Sequence, residues 1–302
     1  MSDRRDTGIL QNGSDFSVRF WGTRGSISCP GDSYSRYGGN TSCLEVRCGD
    51  KLLIFDAGTG LRPLGRHLCE NGPLEADIFL THTHHDHITG LPFFAPLFDK
   101  RNRIRLWAGH LVPELTLHDV LVQFMNAPLF PVPPKIFAAN VSFHDFTAGD
   151  VLEPKPGVRL VTAPLNHPNG ATGYRVDFNG HAICYVTDTE HVEGRPDRNI
   201  LELIDSADLV IYDSTYTDEE FPKYQLGAFH LAGGRAPLRT GRCRQAGHLS
   251  SRPGPRGRLH GPGRQGGRSG TAGHHRRARR HGAAPGMKRA ARSPGSHVEV
   301  TC

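Results

Sequence analysis

The chain has 302 residues, of which 37% are hydrophobic, and its formal net charge at pH 7 is +6. That length suffices for one or two domains with a full core, and the composition is that of a soluble protein rather than a collagen-like one. No apolar stretch approaches the ~18 residues of a membrane-spanning helix, and residues 1–13 lack the apolar segment of a signal peptide. The seven cysteines include no Cys-x-x-Cys pair. This argues against a disulfide scaffold and favours a cytoplasmic location.

The positive charge is confined to the last quarter of the chain. Residues 1–224 carry 20 Lys and Arg against 29 Asp and Glu, a net charge of −9, whereas residues 225–302 carry 16 against one, a net charge of +15. Residues 225–302 also contain 16 of the 36 glycines and only eight Leu, Ile, Val or Phe. So few large apolar residues are typical of a disordered segment. We therefore predict a loose terminus at 1–15, a globular domain at 16–224 and a disordered basic tail at 225–302.

Hydrophobic periodicity and turn residues predict many strands with a few helices between them. In the first half these are a strand at 17–21, a hairpin of strands at 41–47 and 51–55, a helix at 60–69, strands at 76–81 and 103–108, and a helix at 112–125. In the second half they are strands at 141–146, 158–163, 173–178 and 181–187, a helix at 198–204 and a strand at 208–212. This pattern indicates a layered α/β sandwich.

A histidine-rich loop follows the predicted strand at 76–81 and reads Thr-His-Thr-His-His-Asp-His over residues 81–87. At the end of a strand, His82 and His84 point to the same side, as ligands of one cation must. Asp86 and His87 then lie on the following turn, where they can face a second cation. Imidazole nitrogens and carboxylate oxygens are typical zinc donors. A solvated histidine tract is the alternative, but the apolar residues on both sides of the loop argue against it.

The pattern His-x-His-x-Asp-His resembles the metallo-β-lactamase superfamily of metal-dependent hydrolases, over about residues 17–224. The resemblance implies a four-layer αββα sandwich with two divalent metal ions at the sheet edges, zinc being favoured over manganese or iron. Asn166-His167-Pro168 and Val186-Thr187-Asp188 match two further superfamily positions. The metal ligands that the resemblance implies are His82, His84 and His167 for the first cation, Asp86 and His87 for the second, and Asp188 between them.

Other positions match the superfamily outside the metal ligands. Asp56, in Phe55-Asp56-Ala57-Gly58, would hold the metal loop from behind, the alternative being an ordinary Asp-Gly turn. Asp213, in Tyr212-Asp213-Ser214, would orient a ligand histidine or have no catalytic part. His85 occupies the variable position of the motif and is interpreted as a pocket-wall residue rather than a ligand.

Two glycine-rich segments, at 20–26 and 37–42, resemble the phosphodiesterase-like branch of the superfamily, which includes tRNA 3′-processing nucleases and cyclic-phosphate phosphodiesterases. Glycines allow backbone N–H groups to approach a phosphate closely. Arg24 and Asn40 are therefore candidate phosphate contacts, and tight turns between strands are the alternative explanation of both segments.

The resemblance implies hydrolysis of a small (cyclic) phosphodiester by a metal-activated hydroxide, because paired cations lower the pKa of a bound water to about 7. Asp86 would accept the proton of the attacking water as well as bind metal. The acidic charge of residues 1–224 favours a small substrate over nucleic acid, since polynucleotide enzymes carry basic tracks. We expect no membrane partner and leave a homodimer open.

The resemblance ends where the composition changes. The late His-Ser-Thr motif of the phosphodiesterase-like branch and its final metal histidine are both missing after residue 224. Codons can be chosen for Leu226–Gly234 and for His248–Pro255 which, read one base later, encode Trp-Gly-His-Ser-Thr and Ile-Phe-His-His-Asp. We therefore predict a frameshift near residue 225. The alternatives are an inactive remnant, a nucleic-acid-binding protein that uses the basic tail, and a superfamily hydrolase acting on a thioester, lactone or β-lactam.

Overall fold

The computed structural model describes residues 16–192 and 195–213, together with the strand at 246–249. Within these residues the chain forms two six-stranded sheets and four α-helices. None of these helices combines the length and the apolar character that crossing a membrane requires.

The first sheet uses consecutive strands as spatial neighbours. Its strands are β1 (Phe16–Gly22), β2 (Cys43–Cys48), β3 (Lys51–Phe55), β4 (Glu75–Leu80), β5 (Arg103–Ala108) and β6 (Asn140–Asp145). β1 to β3 are antiparallel, whereas β3 to β6 are parallel. The β2–β3 turn contains Gly49 at φ 64°, a backbone conformation that favours glycine. Because β3, β4 and β5 run in parallel, their carboxyl ends meet at one edge of the sheet.

The second sheet is largely an antiparallel meander. Its strands are β7 (Val151–Lys155), β8 (Val158–Leu165), β9 (Ala171–Phe178), β10 (His181–Val186), β11 (Leu209–Asp213) and β12 (Ala246–Leu249), in the order β12-β11-β10-β9-β8-β7. β7 to β10 pair antiparallel, and β10, β11 and β12 are parallel. The carboxyl ends of β10 and β11 therefore share one edge.

Three clusters of buried apolar side chains define the layers. One fills the space between the sheets and includes Phe55, Phe79 and Tyr174. A second lies between the first sheet and two helices, α1 (Leu61–Cys69) and α3 (Leu117–Phe124). A third joins α4 (Arg198–Ile204) to the outer face of the second sheet. The layer order is helix, sheet, sheet, helix, which confirms the predicted αββα sandwich.

One helix begins later than predicted, and one strand is absent from the sequence-based prediction. The helix predicted at 112–125 begins only at Leu117, because Thr116 and Asp119 form a reciprocal capping box at its start. The predicted elements also omit β7, an edge strand that contains Pro154 and an irregular pairing with β8. Proline and irregular pairing weaken the alternating pattern by which strands are recognised.

The strand β12 lies within the segment whose composition predicts disorder. Ala246 to Leu249 pair in parallel with Val210 to Asp213 of β11. Strand pairing uses backbone groups, so a low content of apolar side chains does not exclude a strand of four residues. The loose terminus at 1–15 and the rest of the predicted tail lie outside the described residues, and the boundary at residue 224 stays a prediction.

Candidate metal centre

The candidate ligands meet at the edge of the sandwich where strands of both sheets end. Their positions are His82 and His84 after β4, Asp86 and His87 in the short helix α2 (His85–Ile88), His167 after β8 and Asp188 after β10. The ligand atoms of His82, His84 and His167 all lie within 4.8 Å of one another. By the same measure His82, His87 and Asp188 form a second group. The two groups share His82, so they lie side by side.

The first group consists of three imidazole rings in contact. The centroid of the His82 ring lies 4.5 Å from that of His84 and 4.7 Å from that of His167. Nε2 of His82 and Nδ1 of His167 are buried and make no hydrogen bond to any described residue. A buried polar nitrogen without a partner is costly, and coordination of a divalent cation would remove that cost. This donor set fits a metal ion.

The second group is centred on His87, whose side chain is fully buried. Its Nε2 lies 3.2 Å from Oδ2 of Asp188 and 3.4 Å from Oδ2 of Asp86. Asp86 stands beside this group rather than within it, and its Oδ2 also accepts a 2.6 Å hydrogen bond from the backbone N–H of Ser26. Two carboxylates and an orphaned imidazole nitrogen form a donor set that suits a second divalent cation.

Asp56 lies behind the metal loop, at the end of β3, and is completely buried. Its carboxylate accepts hydrogen bonds from the backbone and hydroxyl of Thr81, at 2.8 and 2.9 Å, and from the Tyr185 hydroxyl at 2.7 Å. Nδ1 of His87 lies 2.8 Å from the same carboxylate. Asp56 therefore ties the end of β4 and α2 to β10 of the second sheet.

Glycine lets the turn after Asp56 pack directly on the metal loop. A Cβ atom at Gly58 would lie 2.3 Å from the carbonyl oxygen of Asp86 and 2.4 Å from Oγ1 of Thr41. One at Gly90 would lie 2.0 Å from the carbonyl oxygen of Gly58. These separations leave no room for a side chain, so both positions require glycine.

The protonation states at the site follow from burial and from the clustered carboxylates. Burial lowers the pKa of His82 well below its usual value and that of His167 to about 4. Burial also opposes the protonation of His87, but the charges of Asp56 and Asp188 raise the pKa of His87 well above its usual value. For Asp86 and Asp188, burial acts to raise the pKa, and the neighbouring His87 lowers it overall. His82 and His167 are therefore neutral at pH 7, the form that binds metal.

The structure places the three remaining candidates at or near the same edge. The Arg24 side chain is only 4% exposed, and its Nε donates to the carbonyl oxygen of Gly38. Asn40 lines an open cavity of about 630 Å³ and contacts Thr59. Asp213 ends β11 and is buried, and Tyr212 before it pairs with Val186 of β10. The predicted phosphate contacts of Arg24 and Asn40, and the orienting role of Asp213, stay predictions.

Three residues near the centre are absent from the sequence-based candidates. Tyr185 binds Asp56 across 129 residues of chain, and no sequence signal indicates that pairing. Ser26, at φ 60°, places its N–H on Asp86. Nε2 of His110 lies 3.2 Å from the Thr83 hydroxyl. His110 could have been found, because it follows a predicted strand parallel to the one before the histidine loop.

Comparison with known proteins agrees with this geometry. The model of the Beta-lactamase superfamily domain matches residues 52–249. The chain belongs to the β-lactamase superfamily. This chain is similar in sequence to a ribonuclease Z from Haloarcula marismortui. The two are 24% identical over 292 residues, and the alignment covers 78% of this chain and 86% of the ribonuclease Z.

Two solved structures share the fold of this β-lactamase superfamily member. One is the Zn(2+)-bound PqqB from Methylobacterium extorquens, with a TM-score of 0.56 and 14% identity, over 77% of this chain and 88% of that chain. The other is a diphosphatase from the PhnP family, with a TM-score of 0.54 and 18% identity, over 77% of this chain and 84% of that chain. At these identities the likeness concerns the fold, and the fold implies divalent metal ions at the His/Asp cluster.

Proposed function

We propose that this β-lactamase superfamily hydrolase cleaves a small phosphodiester with the help of two divalent cations. The observation that carries the proposal is the pair of donor groups that share His82 at one edge of the sandwich. A single site would need one such group, and two groups within a few ångströms suit the paired cations of phosphoryl-transfer enzymes.

The proposed ligand assignment follows the superfamily resemblance, and the proximity of the ligand atoms supports it. His82, His84 and His167 hold one cation, His87 and Asp86 hold the other, and Asp188 lies between them. When bound, the cations would lower the pKa of a water molecule and would place positive charge beside the phosphoryl oxygens. Zinc is the favoured metal because imidazoles predominate among the donors and because PqqB, with the same fold, is described as Zn(2+)-bound. Manganese and iron are the alternatives.

The chain's own residues prepare this site for hydrolysis. Asp86 is partly exposed and can accept the proton of an attacking water at its carboxylate. Asp56 holds the ring of His87 through Nδ1, which leaves Nε2 directed at Asp86 and Asp188. Such an outer hydrogen bond fixes the orientation of a ligand histidine.

A phosphodiester is favoured over other substrates by the relatives. Two of the similar proteins are named a ribonuclease and a diphosphatase, and both names describe enzymes that break bonds to phosphorus. The net charge of −9 over residues 1–224 favours a small (cyclic) diester over a long nucleic acid. We also propose a cytoplasmic location, because all five cysteines in the described part of the chain are free thiols.

The test combines metal analysis with two substrates. Zinc content and hydrolysis of bis(p-nitrophenyl) phosphate and 3′,5′-cyclic AMP are measured for the wild type, His82→Ala and His118→Ala. His118 is exposed and distant in sequence from the ligands, so H118A is the matched control. We expect H82A alone to lose bound zinc and hydrolysis. Equal zinc content in H82A and the wild type would contradict the proposal.

The predicted frameshift adds a second comparison. On the frameshift hypothesis, a chain whose codons after residue 225 are read one base later regains the His-Ser-Thr motif and the final histidine. We expect that chain to bind more zinc and to hydrolyse both diesters faster than the chain of 302 residues. Equal rates would show that the basic segment does not disable the site, and codons that do not encode those motifs would exclude the frameshift.

A further inference from the structure

Four aromatic side chains form a continuous row that begins at the metal loop. The centroid of the His85 ring lies 6.2 Å from that of Phe124, which lies 6.5 Å from Phe130, which in turn lies 6.0 Å from Phe93. These separations are those of interacting aromatic pairs. We call His85, Phe124, Phe130 and Phe93 the aromatic row.

The row is anchored in the core but presents its ends to solvent. Phe124 packs against the apolar cluster under the first sheet. His85 is exposed, and the Phe93 side chain is 52% exposed although its neighbour Phe94 is fully buried. Contiguous exposed aromatic surface is unfavourable in water and commonly marks a binding site.

The row is continuous with the metal centre. His85 lies between the candidate ligands His84 and Asp86 in the sequence and opens the short helix α2. The first ring of the row is therefore carried by the residue that joins two candidate ligands. The row is therefore placed to contact the uncharged part of a substrate whose charged group binds at the metal centre.

The segments that carry the row favour an uncharged partner over a strongly anionic one. Residues 85–98 and 117–134, which carry all four rings, contain no Lys or Arg. Nucleic-acid backbones and anionic membranes are bound through such cations. A flat uncharged ring requires none, because it stacks on aromatic faces.

We propose that the aromatic row binds the base of a nucleotide phosphodiester while the phosphate lies at the metal centre. This inference rests on the proposed function and names its substrate class. Stacking is tolerant of base identity, since every base has a flat face. The row itself offers hydrogen-bonding atoms only at His85, so we expect little discrimination between adenine and other bases.

The experiment uses two ligands that differ only in the base. Affinities of the zinc-loaded full chain for AMP and for ribose 5-phosphate are measured by isothermal titration calorimetry. We expect AMP to bind about tenfold more tightly. Phe93→Ala and Phe130→Ala should each weaken AMP binding several-fold while changing the affinity for ribose 5-phosphate less than about twofold. Phe98→Ala is the control, because Phe98 is 45% exposed but pairs with Phe137 outside the row.

The outcomes separate this inference from the function on which it rests. Equal affinities for AMP and ribose 5-phosphate would overturn the aromatic row as a base site and leave the phosphate site intact. Binding of neither ligand would contradict the proposed function, and the inference would fall with it. A dimer in analytical ultracentrifugation that Phe93→Ala dissociates would assign the row to a second copy of the chain and overturn the inference.

Discussion

The half of the metal centre that comes from the first sheet is held by more contacts than the half from the second sheet. On the first sheet, Asp56 joins Thr81, His87 and the second sheet, and the glycines at 58 and 90 pack against backbone. On the second sheet, Asp188 is supported by the Thr187 hydroxyl at 2.6 Å, and Nε2 of His167 lies 3.0 Å from Nδ1 of His84.

Burial follows the same division. His82 is 1% exposed and His87 is completely buried, whereas the side chain of Asp188 is 23% exposed. The first sheet therefore provides a preorganised set of donors, and the second sheet closes the site with side chains that can adjust. Preorganisation of this kind lowers the cost of binding a ligand.

Replacement of Asp56 should have the largest effect on stability and zinc binding, because Asp56 holds the ligands that the first sheet contributes to the metal centre. Asp56→Asn removes the charge that faces His87, and loss of one partner from a buried ionic pair costs about 3–5 kcal/mol. The free energy of unfolding, measured with urea, should fall by that order, and bound zinc should fall with it. Asp50→Asn, at an exposed turn, is the control. Equal stability of the two variants would contradict the role of Asp56.

Filling the space at Gly58 should be the next most damaging change. In Gly58→Ala the new methyl group meets the backbone of Asp86, and overpacking of this kind costs about 1–3 kcal/mol. We expect a lower urea midpoint and weaker zinc binding. A Gly58→Ala variant with wild-type zinc affinity would mean that the metal loop does not depend on this contact.

Tyr185 tests the link between the two halves. Tyr185→Phe removes a hydrogen bond to Asp56, the carboxylate that holds the ligand His87. Loss of a direct partner of a ligand reduces metal affinity about 10–100-fold, and we expect a smaller reduction for Tyr185, which lies one contact further out. Tyr174→Phe is a matched control, because its hydroxyl is also buried and donates to the carbonyl oxygen of Leu80 instead. We expect both variants to lose some stability and Y185F alone to lose zinc affinity. Equal zinc affinities in a competition titration would refute the link.

The smallest expected effect concerns His110, beside the first-sheet half. Burial lowers its pKa from 6.5 to about 4. The unfolded chain therefore binds this proton first as the pH falls, so the contribution to stability is present above about pH 6.5 and is lost towards pH 4. Between pH 7.5 and 5.5 the metal-free chain should lose about 1 kcal/mol through this group. His110→Gln should flatten that part of the profile, and an unchanged slope would exclude His110 as its source.

The sequence predicts the centre well where the information is local. His82 and His84 are local in this sense, because they follow the end of a predicted strand, whereas His167 and Asp188 are expected only from the superfamily resemblance; the structure brings the four side chains together. The Tyr185–Asp56 contact joins distant segments, and no local pattern encodes it. The sequence also does not indicate that Phe93 is exposed while Phe94 is buried, because the two side chains diverge in a short 3₁₀ turn.

The order of strands in the first sheet has a consequence for how the protein is made. β1 to β6 are neighbours in the order in which they leave the ribosome, so a nascent chain that has emerged as far as Asp145 contains the complete first sheet. His82, His84 and His87 are then present, while His167 and Asp188 have not been synthesised. The growing chain therefore carries a partial chelator before it can complete either cation site.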